Sequence, residues 1–221
     1  MNIGIIMAMQ KEKEFFAGQL QNFETQTIAL REYITGKWHK HNIIAVVCGM
    51  GKVNAAIGAT HLIADFKTDL IINIGISGGL DASLNIGDFV LGTNITYHDV
   101  WCGEPYQHGQ LQDMPLMYHS DDKLAAKLNM LKHGLLCCGD QFITSIDELQ
   151  NIKQHFPQAL AVDMESAAIA HVCFLHQIPF LCVRQISDTP GSEHHAEQYA
   201  SFWDNAPKNS VKLLEQILSI I

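Results

Sequence analysis

Three carboxylates lie within three residues of the ends of apolar runs that predict buried strands. Glu12 follows IGIIMAM, Glu165 follows ALAV, and Asp188 follows FLCVRQIS. In a doubly wound sheet the carboxyl ends of the strands share one edge, so these side chains are expected to lie there together. Carboxylates accept hydrogen bonds from hydroxyls and stabilise developing positive charge. The pattern therefore predicts an enzyme site for a largely neutral, polar ligand that carries hydroxyl groups.

Each of these residues also has a purely structural interpretation. Asp163 could cap the helix that follows it, with Glu165 favouring the dipole of the first turn. Glu12 could be an exposed helix residue, and Asp188 could cap the turn into Thr-Pro-Gly. Arg184 could be a structural partner for one of the neighbouring carboxylates, Asp163 or Glu165.

A glycine-rich turn, GISGG at 75–79, contains Ser77 and Gly78. Glycines in a turn let backbone N–H groups approach a ligand closely. The turn matches neither GxGxxG nor GxxxxGK[ST], so it predicts neither a dinucleotide site nor a Walker-type loop. We expect no cofactor.

Apolar runs alternate with helical patterns along the chain, which predicts an α/β fold. The expected strands are 2–8, 43–49, 69–80, 86–100, 134–139, 159–162 and 178–187. The expected helices are 9–19, 52–66, 121–132, 147–156, one starting at 164, and a tail at 194–220. Gly36 is interpreted as a turn between β-rich segments. We expect one domain over 1–221, with three α/β/α layers and a central mixed, largely parallel sheet.

Composition excludes several classes of function. Hydrophobic residues make up 48% of the 221 residues, the net charge is −9, and Arg31 and Arg184 are the only arginines. A chain this acidic lacks the basic face that nucleic acids and anionic membranes require. No apolar stretch is long enough to span a bilayer, and the N-terminal run is too short for a signal-peptide core. We therefore expect a cytoplasmic protein.

The cysteines and histidines do not form metal-binding motifs. The six cysteines lack CxxC spacing and read as small buried hydrophobes in a reducing cytoplasm. The twelve histidines show no HExxH or Cys/His spacing. His194 and His195 are interpreted as a solvent-side pair, and we expect no metal site.

Several short motifs follow one another along nearly the whole chain. They are IGIIMAM with Glu12, GMGKVNAA, NIGISGGL with NIGDFVL, YHD at 97–99, GDQFI at 139–143, VDMESAAIAHVC and VRQISD at 183–188. In this order and spacing the chain resembles the 5′-methylthioadenosine/S-adenosylhomocysteine nucleosidases of the nucleoside phosphorylase superfamily.

The resemblance implies hydrolysis of an N-glycosidic bond, with release of adenine and a 5-substituted ribose. Asp188 matches the general acid that protonates adenine near N7. Glu12 matches the residue that holds and deprotonates the attacking water. Glu165 matches the acceptor of hydrogen bonds from the ribose hydroxyls. General acid–base help of this kind contributes on the order of 10²–10⁴-fold to the rate.

The resemblance also assigns contacts to the substrate. Met164 would pack beneath the sugar, Phe142 would stack on adenine, and the backbone of Ile143 would bond to the edge of the base. Phe142 could instead be ordinary core. From the tail, either Tyr199 or Phe202 could reach the site.

Residues 100–115 correspond to a segment that packs across a homodimer in the family and helps close the 5′ end of the neighbour's site. The side chains suited to that role here are Trp101, Tyr106 and Pro115. Met9 and Met50 would supply soft apolar contact to a thioether. We therefore expect a small nucleoside ligand and a homodimer.

Other activities stay open at this point. A phosphorylase of the same fold would need arginines to hold phosphate, and arginine is scarce. Futalosine hydrolase is another relative. From a different class, the chain could be a catalytically silent nucleoside-binding protein, and a flavin or nicotinamide protein is a weaker alternative.

Overall fold

The structure is a computed structural model that describes residues 1–192, 195–202 and 206–221. Its strands are β1 (Asn2–Met7), β2 (Gln21–Ile28), β3 (Arg31–Trp38), β4 (His41–Val47), β5 (Leu70–Gly79), β6 (Phe89–Tyr97), β7 (Tyr118–His119), β8 (Lys132–Cys138), β9 (Ala159–Asp163) and β10 (Phe180–Asp188). Its α-helices are α1 (Gln10–Ala17), α2 (Lys52–Ala64), α3 (Asp122–Ala125), α4 (Ile146–His155), α5 (Ser166–His176), α6 (His195–Phe202) and α7 (Ala206–Ile220). The predicted α/β class is confirmed.

The ten strands of the described residues pair into one mixed sheet, and β5 is its central strand. β5 pairs in parallel with β1 and β10, and its last two residues pair antiparallel with β9. The strands β10, β6, β8, β9 and β5 therefore form a closed ring, from which β1, β4, β3 and β2 extend. Five of the ten strand pairings among the described residues are antiparallel. The sheet is thus mixed, as predicted, but it curls closed where the sequence suggested an open sheet.

Two strands of opposite direction share one side of β5. β1 pairs with β5 as far as Asn73, and β9 pairs only with Gly78 and Gly79. Because β1 is parallel to β5 and β9 is antiparallel to it, their carboxyl ends point toward each other across the interval at 74–77. The expectation of one shared carboxyl edge is wrong for β9. The residues that follow β1 and β9 meet because the two strands converge head to head.

The expected turn at Gly36 is wrong, because Gly36 lies inside β3. The hairpin between β2 and β3 turns instead at Ala29 and Leu30, which both have positive φ. A Cβ at Gly36 would lie 3.0 Å from the Cβ of Leu20 and 3.1 Å from the carbonyl oxygen of Gln21. Close packing, not chain reversal, therefore requires glycine at this position.

Helices cover both faces of the sheet and complete the predicted layers. On one face α2 and α5 pack on each other, and their small residues, such as Ala55, Ala59 and Ala167, are buried in the core. On the other face α1 and α7 pack together, and α7 contributes Leu214 and Ile217 to the core. The prediction that the alanine-rich face of α5 serves core packing is confirmed.

Two helix predictions differ from the structure. The helix expected at 121–132 is wrong in length, since α3 has four residues, a 3₁₀ turn follows, and β8 begins at Lys132. Asn129, a poorer helix former than the preceding alanines and leucines, stands where the helical run ends. The tail expected at 194–220 forms two helices, and residues 194 and 203–205 lie outside the described residues. Within the described ranges, no helix has the length and apolar character to cross a membrane.

Candidate active site

A cavity open to solvent lies where β1 and β9 converge on β5. All the side chains predicted from the sequence to form a site line this cavity. They are Met9, Glu12, Met50, Ser77, Gly78, Phe142, Ile143, Asp163, Met164, Glu165, Arg184 and Asp188. The structure therefore brings together residues that lie up to 179 positions apart, from Met9 to Asp188.

Glu12 reaches the cavity from the first turn of α1 and is only 6% exposed. Its Oε2 accepts the N–H of Met9 at 3.0 Å, which caps the helix. A Cβ at Gly75 would lie 3.3 Å from Oε1, so glycine leaves room for this oxygen. Burial raises the pKa of Glu12 to about 7. The interpretation of Glu12 as an exposed helix residue is therefore wrong.

Glu165 stands at the junction between β9 and α5 and is buried. Its Oε1 accepts the N–H of Gly51 at 2.9 Å, which ties the 49–52 turn to the cavity. Gly51 has φ of 92°, a conformation that favours glycine. Burial, and then the nearby charge of Asp163, raise the pKa of Glu165 to about 7. Met164 lies beside it in the cavity wall.

Asp163 and Arg184 form a buried ion pair in the lining of the cavity. Asp163 Oδ2 accepts from Arg184 Nε at 2.9 Å, and its Oδ1 accepts the N–H groups of Glu165 and Ser166 at 3.0 and 2.9 Å. Arg184 also donates to Asn73 Oδ1 at 2.6 Å. The structural alternatives for Asp163 and Arg184 are thus both observed, since Asp163 caps α5 and Arg184 is its partner.

Asp188 ends β10 and is 2% exposed. Its Oδ1 contacts the Ser187 hydroxyl, and its Oδ2 lies 2.7 Å from His195 Nε2. The N–H of Thr189, which opens the following turn, donates to Gln198 Oε1 instead of to Asp188. Asp188 is therefore a buried side chain in the cavity wall, and its interpretation as a turn cap is not supported by these contacts.

Two aromatic rings also line the cavity. Phe142 is 49% exposed, which contradicts its interpretation as ordinary core. The ring of Tyr199 in α6 packs edge-on against Phe142 with centroids 5.3 Å apart. The hydroxyl of Tyr199 lies 3.7 Å from the sulfur of Met9. Of the two tail candidates, Tyr199 lines the cavity.

Comparisons with known proteins agree along the full chain. The profile of the phosphorylase superfamily matches residues 2–219. A 5′-methylthioadenosine/S-adenosylhomocysteine nucleosidase of Staphylococcus aureus (strain bovine RF122 / ET3-1) is 36% identical over 226 residues, covering 98% of this chain and 99% of the relative. The chain belongs to the methylthioadenosine/S-adenosylhomocysteine nucleosidase family, within the phosphorylase superfamily.

Solved structures of this family and of a neighbouring one share the fold. An S-adenosylhomocysteine nucleosidase from Streptococcus pyogenes, crystallised with 5-methylthiotubericidin, matches with a TM-score of 0.96 at 33% identity, covering 100% of this chain and 97% of that chain. The native futalosine hydrolase of Helicobacter pylori matches with a TM-score of 0.93 at 25% identity, covering 100% and 98%. The fold alone therefore does not separate these two activities.

Arginine contributes little free positive charge to this nucleosidase-family cavity. Arg184 is held by Asp163 and Asn73. Arg31 donates to the carbonyl oxygen of Cys48 at 2.7 Å and does not line the cavity. In the described part of the chain, the arginine facing the cavity is thus neutralised by its carboxylate partner.

Hydrogen bonds connect three of the sequence motifs, GMGKVNAA, YHD and GDQFI, beside the cavity. Lys52 Nζ lies 2.7 Å from Asp99 Oδ2, and the Asp140 N–H donates to the same oxygen at 2.8 Å. The Lys52 N–H donates to Asp140 Oδ1 at 2.7 Å. These bonds join the segment that carries Met50 to the one that carries Phe142. Sequence reasoning identified the motifs, but it did not identify these contacts.

Two predictions about histidine and cysteine need correction. His195 is 7% exposed and bonded to Asp188, so its interpretation as a solvent-side residue is wrong, while His194 lies outside the described residues. Cys102 is exposed, whereas the other five cysteines are buried as expected. Among the residues described, no three His, Cys, Asp or Glu side chains are grouped to hold a metal ion.

Replacing Asp163 by asparagine is expected to lower the free energy of unfolding by about 3–5 kcal/mol, because it leaves the Arg184 charge buried without its partner. Urea unfolding at neutral pH measures the change. Asp122→Asn, at an exposed position in α3, is the matched control and should unfold like wild type. Unfolding of Asp163→Asn at the wild-type urea concentration would contradict the assigned role of the pair.

Proposed function

We propose that this protein hydrolyses the N-glycosidic bond of 5′-methylthioadenosine and S-adenosylhomocysteine, and of related nucleosides such as 5′-deoxyadenosine. The products are adenine and a 5-substituted ribose. One observation carries the proposal: three buried carboxylates, Glu12, Glu165 and Asp188, converge on one cavity with an exposed aromatic ring at its mouth. This arrangement suits a neutral ligand that has hydroxyls at one end and a flat base at the other.

The leaving base is protonated on the Asp188 side of the cavity. Adenine departs poorly as an anion, so a proton on its N7 lowers the barrier to cleavage. Asp188 is excluded from water and can deliver that proton. Phe142 supplies a face on which the base stacks, and the backbone of Ile143, a residue that lines the cavity, bonds to the edge of the base.

The sugar reacts on the Glu12 side. As the C1′–N9 bond breaks, positive charge develops on the ribose ring, and nearby carboxylates stabilise it. Glu12 holds a water molecule at the opposite face of the ring and accepts its proton as the oxygen bonds to C1′. Glu165 accepts hydrogen bonds from the ribose hydroxyls, with Met164 beneath the sugar.

The 5′ end of the ligand would meet soft apolar side chains and a partner subunit. Met9 lines the cavity, and Met50 does so while 61% exposed. Large exposed apolar side chains lie in nearby segments, at Val53, Trp101 and Ile146. Exposed apolar surface of this kind marks interaction sites. We therefore propose a homodimer with residues 100–115 near the partner's site, which sedimentation of wild type and of Trp101→Glu can test.

Cellular placement is part of the same proposal. None of the six cysteines forms a disulfide in the structure, which fits a reducing compartment, and we propose the cytoplasm. Because the products are adenine and a methylthio- or homocysteinyl-ribose, we propose a role in methionine salvage.

An assay for the released purine base, adenine or hypoxanthine, tests the proposed function. Methylthioadenosine, S-adenosylhomocysteine, 5′-deoxyadenosine, futalosine and inosine are each incubated with the protein, with and without phosphate. We expect adenine from the first three at rates that do not depend on phosphate. Strict phosphate dependence would make the protein a phosphorylase. Binding of methylthioadenosine without release of adenine would make it a silent nucleoside-binding protein.

Futalosine hydrolysis is the second candidate, and the structural likeness to the Helicobacter pylori enzyme favours it. The identity to that enzyme is 25%, against 33% to the Streptococcus pyogenes nucleosidase. Faster turnover of futalosine than of methylthioadenosine in the same assay would reverse the order of the two candidates.

A further inference from the structure

A histidine side chain contacts Asp188, the proposed general acid. His195 Nε2 is 2.7 Å from Asp188 Oδ2, and both side chains are buried. Asp188 lines the cavity, but His195 is not among the residues that line it. His195 therefore reaches Asp188 Oδ2 from outside the cavity lining, while the same oxygen lies next to Gly78, where a Cβ would be 3.3 Å away.

The other contacts of Asp188 bear on where its proton resides. The Ser187 hydroxyl contacts Asp188 Oδ1 and also lies 3.2 Å from the carbonyl oxygen of Ser77. A hydroxyl has one proton to donate but can accept two bonds. If Ser187 donates to the carbonyl, which can only accept, it can take a bond from a protonated Asp188. The surroundings of Asp188 thus accommodate a neutral carboxyl as well as a carboxylate.

We propose that His195 is a positioning residue for Asp188, and that the two side chains share the proton that the leaving base receives. The inference rests on the proposed function, because it concerns the acid of that reaction. In the free enzyme one proton lies between Asp188 Oδ2 and His195 Nε2, either on the carboxyl or on the imidazole.

The proton balance of the step is complete without a further reactant. When the C1′–N9 bond breaks, its electron pair passes to adenine and the shared proton moves to N7. Asp188 is then a carboxylate beside a neutral His195. Water adds to C1′ and its proton goes to Glu12. After the products leave, Glu12 releases that proton to solvent and the pair of Asp188 and His195 takes one up.

Because His195 lies in α6, it could also have a purely structural role. The test must distinguish that role from the positioning of Asp188. The ring of His195 lies 5.4 Å from that of Phe142, and the same helix carries Tyr199. A purely structural His195 would hold α6 and the aromatic wall in place. Its loss would then affect every substrate of the cavity alike.

Two substrates with different leaving groups separate these roles. Methylthioadenosine needs a proton on its base, whereas the 4-nitrophenyl glycoside of 5-methylthioribose leaves as a stable nitrophenolate. The variants are His195→Gln, which keeps an N–H donor but cannot hold the shared proton, and His195→Ala. Exposed His176 at the end of α5 supplies the control His176→Gln. Circular dichroism verifies that each variant is folded.

We expect both His195 variants to lose on the order of tenfold to a hundredfold in kcat for methylthioadenosine, as for a misplaced catalytic group. KM and the kcat for the nitrophenyl glycoside should stay near wild type, and added imidazole should restore part of the activity of His195→Ala. Equal losses with both substrates, or wild-type kcat in both variants, would overturn the inference alone. Wild-type protein that released no adenine would overturn the proposed function and this inference with it.

Discussion

Asp188→Asn is expected to lower kcat for methylthioadenosine by on the order of 10²–10⁴-fold, because asparagine has the same shape but cannot give a proton to N7. The side chain is 2% exposed, so water cannot easily replace the missing acid. Release of adenine, followed by its change in absorbance, measures kcat and KM. KM should change little, because the aromatic and sugar contacts are left in place.

The matched control for Asp188→Asn removes a carboxylate elsewhere. Glu24→Gln changes an exposed position in β2 and should keep wild-type kcat. The nitrophenyl glycoside of 5-methylthioribose gives a second comparison, since its leaving group needs no proton and Asp188→Asn should still cleave it. Adenine release by Asp188→Asn at the wild-type rate would exclude Asp188 as the acid.

Glu12→Gln is expected to lower kcat by a similar factor, on the order of 10²–10⁴-fold, because glutamine can hold a water molecule but cannot accept its proton. Unlike the loss of Asp188, this loss should extend to the nitrophenyl glycoside, since attack by water is needed whatever the leaving group. Adenine and nitrophenolate release by the same enzyme preparation measure both rates. Undiminished turnover of either substrate would show that another group activates the water.

The pH dependence of wild type provides an independent readout for Glu12. Burial raises the pKa of Glu12 and of Glu165 to about 7. Glu12 must be ionised to accept a proton from water, so kcat/KM should fall as the pH decreases through about 7. Because the two groups titrate in the same range, the fall belongs to both together. In Glu12→Gln only Glu165 titrates there, and the fall should be less steep.

The Glu12→Gln variant should be more stable towards unfolding than wild type at alkaline pH. In the unfolded chain Glu12 ionises near 4.5, whereas in the folded protein it does so at about 7. The folded state therefore binds this proton more tightly, and the stability of wild type falls as the pH rises from 4.5 to about 7. Glutamine removes this penalty, which is on the order of 3 kcal/mol above that range. Urea unfolding as a function of pH measures the gain, which should vanish at acid pH.

Much of the site could be predicted because the residues that carry its chemistry occur in short local sequence patterns. An apolar run followed by a carboxylate placed Glu12 just past the end of β1 and Asp188 at the end of β10, and the structure has Glu12 in the first turn of α1 and Asp188 as the last residue of β10. The glycines at 75–79 were also predicted to lie at the site, but the turn expected there is wrong, because these residues lie inside β5. A Cβ at Gly78 would lie 2.9 Å from Pro190 and 3.3 Å from Asp188 Oδ2, so close approach requires glycine there.

Other features could not be read from local patterns. The alternation of strands and helices is the same whether β9 runs with β5 or against it. His195 occurs in a polar, histidine-containing stretch that is typical of solvent-exposed segments, yet it is buried because α6 folds back against β10. Gly36 resembles a turn residue by type, but it is required by a close contact with Leu20.

The sequence by itself determined the α/β class, many of the residues around the cavity and the scarcity of arginine. Only the tertiary structure decided that β1 and β9 meet head to head, that Arg184 pairs with Asp163, and that His195 contacts Asp188. Arg184 lies 21 positions from Asp163 and 111 from Asn73. Such partners are selected by the cost of burying a charge without a counter-charge. That cost depends on which distant segments of the chain pack together. A local sequence pattern therefore cannot predict which partner a buried charge will have.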